Sequence, residues 1–114
     1  MIVLKSEREI ALMRRGGHIL ADVVDLIREL VKPGMSTLEV DEAVESFIRR
    51  HGAVPAFKGY RGFPATVCIS INEEVVHGIP SAQRRIKDGD IVGFDLGCIL
   101  EGYYAVCAVT LPLG

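Results

Sequence analysis

The feature that most constrains this chain is a change in the spacing of its apolar residues near Gly52. Before that point, apolar residues recur every three or four positions, which is the spacing of helices that bury one side. After it, they fall in short runs separated by Gly, Pro, Asn and Asp, which is typical of strands joined by turns. Helices and strands segregated in this way favour an α+β domain, with the helices covering one face of a mostly antiparallel sheet.

Two amphipathic helices are predicted in the first half. Ser6 can cap the first helix, and Pro33 follows its end. Ser36 or Thr37 can cap the second, and Glu39 stands three residues after Ser36, the spacing of a capping box. The residues predicted to be buried are Ile10, Met13, Gly17, Leu20, Val24, Ile27 and Val31 in the first helix, and Leu38, Val40, Ala43, Val44, Phe47 and Ile48 in the second.

The second half is predicted to form strands at residues 66–71, 75–80, 91–99 and 103–111. The last two are joined by Glu101-Gly102, and an acidic residue followed by glycine between apolar runs is typical of a two-residue hairpin turn. With that turn, Leu100 pairs with Tyr103, and the pairing of the remaining residues of these two strands follows.

The predicted hairpin contains the most informative polar residue, Asp95. Gly97 pairs with Val106 and Asp95 with Ala108, so Asp95 and Val106 are diagonal neighbours about 7–8 Å apart at Cα. A carboxylate among apolar strand residues is costly if it is buried and unpaired. Gly93 and Gly97 leave open space on the same face. This face fits a ligand site, a contact with another chain, or ordinary solvent exposure.

Two other places contain residues that could do chemistry. Phe57, Tyr60 and Phe63 stand in a loop rich in Gly and Pro, which either lines an apolar pocket or covers the core. His77 stands alone on a short predicted strand, where a histidine is more often structural than catalytic.

Composition and charge exclude several classes of protein. The net charge of −2 gives no electrostatic reason to bind nucleic acid or an anionic membrane. No apolar run approaches the ~20 residues that span a bilayer, and the N-terminal residues lack the pattern of a secretory signal. The three cysteines, Cys68, Cys98 and Cys107, have no CxxC spacing, which argues against a disulfide framework or a zinc site. We expect a cytoplasmic protein with reduced thiols that consists of one domain, residues 1–114.

Several stretches of the chain resemble type I methionine aminopeptidases. They are FKGYRGFP at residues 57–64, VCISINEEVVHGIP at 67–80, KDGDIV at 87–92, DLG at 95–97, and, in the helical half, KSEREI at 5–10 and VKPG at 31–34. The resemblance implies a pita-bread fold, in which two α+β halves are related by a pseudo-two-fold axis and the active site lies between them. We therefore expect the N-terminal half of that fold, with two amphipathic helices packed on one face of a small, mostly antiparallel sheet.

The resemblance also implies a metal centre. The family binds two divalent metals (Co, Mn, Fe or Zn) with two aspartates, one histidine and two glutamates. Asp95 matches the first aspartate, but the position of the second is occupied by Val106. The remaining three ligands belong to the C-terminal half of the family's fold. One carboxylate does not hold a divalent ion tightly, so we expect no tightly bound cofactor.

The resemblance implies substrate-binding roles as well. His77 matches a histidine that contacts the substrate. Tyr60, Phe63 and Cys68 match positions that line the pocket for the methionine side chain, and Phe57 stands where some members carry a cysteine.

Together these matches favour a catalytically incomplete half-domain, engineered or reconstructed to fold alone. Valine at 106 fits this interpretation, because a second buried carboxylate without a metal would only destabilise the fold. The uncovered inter-half face is expected to form a homodimer, and no nucleic acid or membrane partner is expected. The alternatives are a weak metal-dependent aminopeptidase that removes N-terminal methionine, assembled by dimerisation or with a C-terminal half in trans, and a non-catalytic peptide-binding module.

Overall fold

The computed structural model describes residues 6–72 and 78–113, apart from the side chain of Arg61. Within them, two helices pack on a four-stranded antiparallel sheet, which confirms the predicted α+β class. The elements are α1 (Glu7–Leu30), α2 (Thr37–Arg50), β1 (Val54–Pro55), a short 3₁₀ helix (Tyr60–Gly62), β2 (Cys68–Ile71), β3 (Ile91–Leu100) and β4 (Tyr103–Pro112). No helix in these described ranges is long and apolar enough to cross a membrane.

Both helices begin at the predicted caps. The Ser6 side chain accepts a hydrogen bond from the Glu9 N–H, and the Glu9 side chain accepts one from the Ser6 N–H, so α1 begins with a complete capping box. The Ser36 hydroxyl caps α2 by accepting a hydrogen bond from the Glu39 N–H at 3.1 Å. These local contacts satisfy N–H groups that have no partner inside the helix.

The buried face of α1 differs from the predicted one. Ile10 and Met13 are each 40% exposed, and Gly17 is exposed as well, so their predicted burial is wrong. The residues of α1 that are buried are Leu12, Gly16, Ile19, Leu20, Val23 and Ile27. Apolar residues occupy more of the circumference of α1 than the rest of the fold covers. The spacing of apolar residues alone therefore does not show which side of the helix faces the core. Half of the predicted stripe of α2 is correct, since Val40, Val44 and Ile48 are fully buried. The other three predicted residues, Leu38, Ala43 and Phe47, are half-buried.

The sheet is centred on β3. Strands β1 and β2 pair with β3 on one edge, and β4 pairs along the whole of its other edge. The backbone φ angles at Glu101 and Gly102 are 46° and 87°, as a type I′ hairpin turn requires. The register predicted from this turn is confirmed, since Gly97 pairs with Val106 and Asp95 with Ala108.

The other strand predictions were less accurate. β1 has two residues, too few to produce a pattern in the sequence. β2 starts at Cys68 rather than Thr66, because the N–H groups of Thr66 and Val67 donate to Asp41 instead of to the sheet. Of the strand predicted at 75–80, residues 75–77 lie outside the described residues and 78–80 form no strand.

The core lies between the helices and one face of the sheet. Phe94 and Leu96 of β3 are each 1% exposed there, and they pack in one cluster with Ile27 and Ile48 of the two helices. Because side chains alternate along a strand, Asp95 lies on the opposite face, which neither α1 nor α2 covers. The fold therefore leaves the Asp95 face of the sheet free to form a site.

Candidate functional site

The uncovered face of the sheet bears a cleft of about 940 Å³. One wall is the aromatic loop at residues 56–67, and the other is the β3–β4 hairpin. The cleft is lined by Phe57, Tyr60, Gly62, Phe63, Pro64, Cys68, Ile79, Asp95, Val106, Cys107 and Ala108. It thus brings together every site residue predicted from the sequence except His77, which lies outside the described residues.

Sheet register places Asp95 between two other residues that line the cleft. Asp95 pairs with Cys68 of β2 on one side and Ala108 of β4 on the other, so the three residues share one face. The Asp95 side chain is exposed, whereas Cys68 is 6% exposed. Burial raises the pKa of the Cys68 thiol, and the nearby Asp95 carboxylate raises it further. Cys68 is therefore a neutral, apolar part of the cleft floor.

A close approach at Gly97 holds the aromatic loop over β3. A Cβ at this position would lie 3.0 Å from Ala56 Cβ and 3.1 Å from Phe57 Cε1. The Ala56 N–H also donates to the Gly97 carbonyl at 3.0 Å. The space beside Gly97, which we interpreted from the sequence as open, is thus filled by the loop, whereas a Cβ at Gly93 would make one ordinary contact, 3.8 Å from the Ser70 carbonyl oxygen. The Phe57 ring consequently forms part of the cleft wall.

Asp41 is a site-supporting residue that sequence reasoning missed. It is 4% exposed, and its Oδ1 accepts hydrogen bonds from the N–H groups of Thr66 at 2.9 Å and Val67 at 2.8 Å. Burial raises the pKa of the Asp41 carboxyl, although these two hydrogen bonds lower it. The signal was available in the sequence, because Asp41 stands on the helical repeat of Thr37, Val44 and Ile48, all of which are buried.

Glu45, one turn further along α2, holds the same loop at a second point. Its carboxylate accepts hydrogen bonds from Lys58 Nζ at 2.7 Å and from the Thr66 hydroxyl at 3.2 Å. The Lys58 hydrogen bond, together with one from Arg49, lowers the pKa of Glu45. The aromatic loop is therefore tied to α2 near both of its ends, and α2 positions the cleft wall.

The described residues do not fit a dinuclear metal centre. Within residues 6–72 and 78–113, no three His, Cys, Asp or Glu side chains lie close enough together to hold a metal ion. Val106, the diagonal neighbour of Asp95, is 66% exposed and offers no donor atom. A catalytic divalent ion needs about three or more protein ligands, so the donor set of the described cleft falls short.

Comparison with known proteins identifies the relatives of this chain. The model of metallopeptidase family M24 matches residues 11–114. Methionine aminopeptidase of Clostridium acetobutylicum is 46% identical over 114 residues, and methionine aminopeptidase 1 of Bacillus subtilis is 47% identical. The crystal structure of methionine aminopeptidase from Thermotoga maritima superposes on all of this chain with a TM-score of 0.93 at 38% identity.

These matches cover all of this chain but only part of each relative. The chain spans 46% of the Clostridium and Bacillus proteins and 46% of the Thermotoga chain. The predicted half-pita-bread fold is confirmed by these structural neighbours. The chain belongs to metallopeptidase family M24 and corresponds to the N-terminal half of methionine aminopeptidases.

Proposed function

We propose that this chain is a non-catalytic half of a methionine aminopeptidase, which keeps the cleft for a methionine side chain and has an incomplete set of metal ligands. The observation that carries the proposal is the pairing on the hairpin. Asp95 is the one carboxylate among the described residues that line the cleft, and Val106 occupies the diagonal position where a second carboxylate could share a metal. The parent family is a metallo-aminopeptidase, so the difference at position 106 affects its central chemistry.

The cleft nevertheless suits the side chain of an N-terminal methionine. Its volume of about 940 Å³ lies within the range of small-molecule sites, about 300–1,000 Å³. Phe57 and Phe63 offer aromatic edges to a thioether sulfur, a contact worth about 0.3–1.5 kcal/mol. Asp95 places one negative charge beside these walls, where it would attract the α-ammonium group of a peptide.

An assay of methionine release tests the absence of catalysis. A Met-initiated tripeptide is incubated with the chain and added Co²⁺ or Mn²⁺, and Asp95→Ala serves as the matched control. We expect both proteins to release methionine at the rate of a protein-free blank. Activity that survives purification and disappears in Asp95→Ala would instead establish the weak metal-dependent aminopeptidase.

The retained cleft is tested separately by NMR titration with methionine amide. We expect the backbone amide resonances of Phe63 and Cys68 to shift, with weak affinity. Alanine amide should cause clearly smaller shifts, because its methyl side chain is too short to contact the aromatic wall. The variant Tyr60→Ala removes part of that wall and should weaken the methionine response. Equal responses to the two amides would contradict a methionine-selective cleft.

The cellular setting belongs to the same proposal. Cys68 and Cys98 are buried, reduced thiols and Cys107 is a half-buried one, which supports a reducing compartment such as the cytoplasm. The net charge of −2 supports the absence of nucleic acid and membrane partners. Valine at 106 also supports an engineered or reconstructed chain, because it suits an edge strand better than an unpaired carboxylate does.

A further inference from the structure

The outer edge of β4 has no partner strand in the part of the chain that the structure describes. Among the described residues, β4 pairs with β3 alone, and it is ten residues long. In an antiparallel hairpin, residues alternate between those that exchange hydrogen bonds with the neighbouring strand and those whose N–H and C=O groups point away. Because the two-residue turn makes Leu100 and Tyr103 a hydrogen-bonded pair, the backbone groups that point away from β3 are those of Tyr104, Val106, Ala108 and Thr110.

This edge has none of the usual protection against pairing with another strand. Edge strands are commonly guarded by Lys, by charges that point inward, by a bulge or by a central proline. β4 reads YYAVCAVTLP and contains no charged residue, and its one proline, Pro112, is at the end. Tyr104 and Val106 are 63% and 66% exposed, so the edge is apolar as well as unpaired.

The surface of α1 beside this edge is apolar too. Gly17, Ala21 and Val24 line a groove against β4, on the side of α1 that the core leaves uncovered. Gly17 has open space where a Cβ would be, so a second helix could approach closely. Because α1 packs on both β3 and β4, pairing β4 with another β4 would place two α1 axes about 10 Å apart, close to the ordinary helix–helix distance.

Charge does not oppose a second copy of the chain as the occupant of this edge. Asp25 and Arg28 are the charged residues that line the groove, and their opposite signs leave it without net charge. Arg15 pairs with Glu101 of the hairpin turn at 3.9 Å. Because an antiparallel strand edge is complementary to itself across a two-fold axis, this edge fits a second copy of the chain.

We propose that the free edge of β4 pairs with the same edge of a second copy, joining two four-stranded sheets into one across a two-fold axis. One register uses all four outward-pointing residues, with Tyr104 opposite Thr110 and Val106 opposite Ala108 of the second copy. A shift of two residues in one direction brings Gly102 of the turn into the ladder. A shift in the other direction brings in Pro112, which has no N–H to donate.

The size of this contact is adequate for a dimer. Ten residues of strand are about 33 Å long, and the edge of a helix layer plus a sheet layer is about 20 Å thick. The product is on the order of 700 Å² for each copy, close to the ~800 Å² per partner of a standard specific interface. The contact shares Val106 and Ala108 with the cleft, but it is made by their backbone groups and is measured as an oligomeric state, so its failure is distinguishable from a failure to bind methionine.

The oligomeric state of the full 114-residue chain is the first test. Sedimentation velocity from low micromolar to near-millimolar concentration should show a dimer. Ala108→Pro removes an outward N–H and should give a monomer, whereas Ala108→Ser keeps that N–H and should remain dimeric. If Ala108→Pro does not fold, Val106→Lys is the second variant, because it places a charge at an exposed position of the edge. We expect circular dichroism to show that Val106→Lys is folded and sedimentation velocity to show that it is a monomer.

Cys107 tests the register. It would face its own copy at a non-hydrogen-bonded position, with Cα atoms about 4.5 Å apart, within the range that a disulfide bridges. Mild oxidation at alkaline pH, chosen because burial raises the pKa of the Cys107 thiol, should cross-link the dimer. The matched control is Val109→Cys in a Cys107→Ser background, which places its thiol on the same face but about 14 Å from its own copy. We expect it to cross-link at least about tenfold more slowly.

Three results would overturn the proposal. One is a chain that stays monomeric at every concentration. Another is a dimer in which the control variant, Val109→Cys with Cys107→Ser, cross-links as fast as the chain that carries Cys107. The third is a monomer that forms a one-to-one complex with the separately produced C-terminal half of the Bacillus subtilis enzyme, since that half would then be the occupant of the edge.

Discussion

Replacing Asp41 with alanine tests whether α2 holds the aromatic wall of the cleft. The change removes the acceptor of the Thr66 and Val67 N–H groups, at 2.9 and 2.8 Å. Thr66 is 1% exposed and Val67 is 0% exposed, so water does not replace the carboxylate without a rearrangement of the loop. Each buried N–H left without a partner costs about 1–3 kcal/mol, which gives about 2–6 kcal/mol for the pair.

The net effect should fall in the lower half of that range. Burial of the Asp41 carboxylate is itself unfavourable, as its raised pKa indicates, and alanine relieves that burial. We expect a loss of about 3 kcal/mol in the free energy of unfolding. A chain of this size has on the order of 6–17 kcal/mol in total, so Asp41→Ala should stay folded with a cleft wall that is less well held.

Urea denaturation followed by circular dichroism measures the loss, and hydrogen exchange localises it. Glu42→Ala, at the exposed neighbouring position of α2, is the matched control and should change stability by no more than about 0.5 kcal/mol. Asp41→Asn keeps an acceptor oxygen and should lose less than Asp41→Ala. The amides of Thr66 and Val67 should lose protection in Asp41→Ala. A loss below about 1 kcal/mol, or unchanged exchange at these two amides, would refute the reasoning.

Three further changes test the cleft and its supports. Val106→Asp places a second carboxylate diagonal to Asp95, so Mn²⁺ affinity measured by calorimetry should rise above that of the unchanged chain; equal affinity would contradict the geometry. Gly97→Val forces a side chain against Phe57 and should lose about 1–3 kcal/mol of stability in urea; a neutral result would contradict the close approach. Glu45→Gln should make the free energy of unfolding less dependent on pH in the acid range. The lowered pKa of Glu45 means that its ionised form stabilises the fold, and this stabilisation is complete above the ordinary pKa of 4.5 and is lost as the pH falls through the lowered pKa. The same pH dependence of the unfolding free energy for both proteins, measured in urea down to about pH 3, would contradict this.

Sequence patterns predicted the features that depend on residues close together in the chain. Ser6 and Ser36 cap their helices as expected, because a cap needs a side chain and an N–H group only three residues apart. The hairpin register followed from Glu101-Gly102, since one turn type sets the pairing of both strands. That register in turn placed Asp95 and Val106 on one face.

The predicted site residues also converge, as far as the structure describes them. Tyr60 and Phe63 come from the loop, Cys68 from β2 and Asp95 from β3, and all four line one cleft. Their identification rested on resemblance to a family, because composition alone favoured a lid over the core rather than an apolar pocket for the loop that carries Tyr60 and Phe63.

Sequence alone determined the class of fold, the helix starts and the hairpin, because periodicity, capping and turn chemistry are properties of neighbouring residues. Tertiary structure alone decided which side of α1 is buried and why Asp41 sits in the core. Ile10 and Met13 have the spacing of core residues, yet nothing among the described residues packs over them sufficiently to bury them. Asp41 is tolerated in the interior because two N–H groups, 25 and 26 positions away in the chain, meet its carboxylate. Burial and hydrogen-bond satisfaction depend on partners brought together by folding, and those partners are not visible in any local pattern.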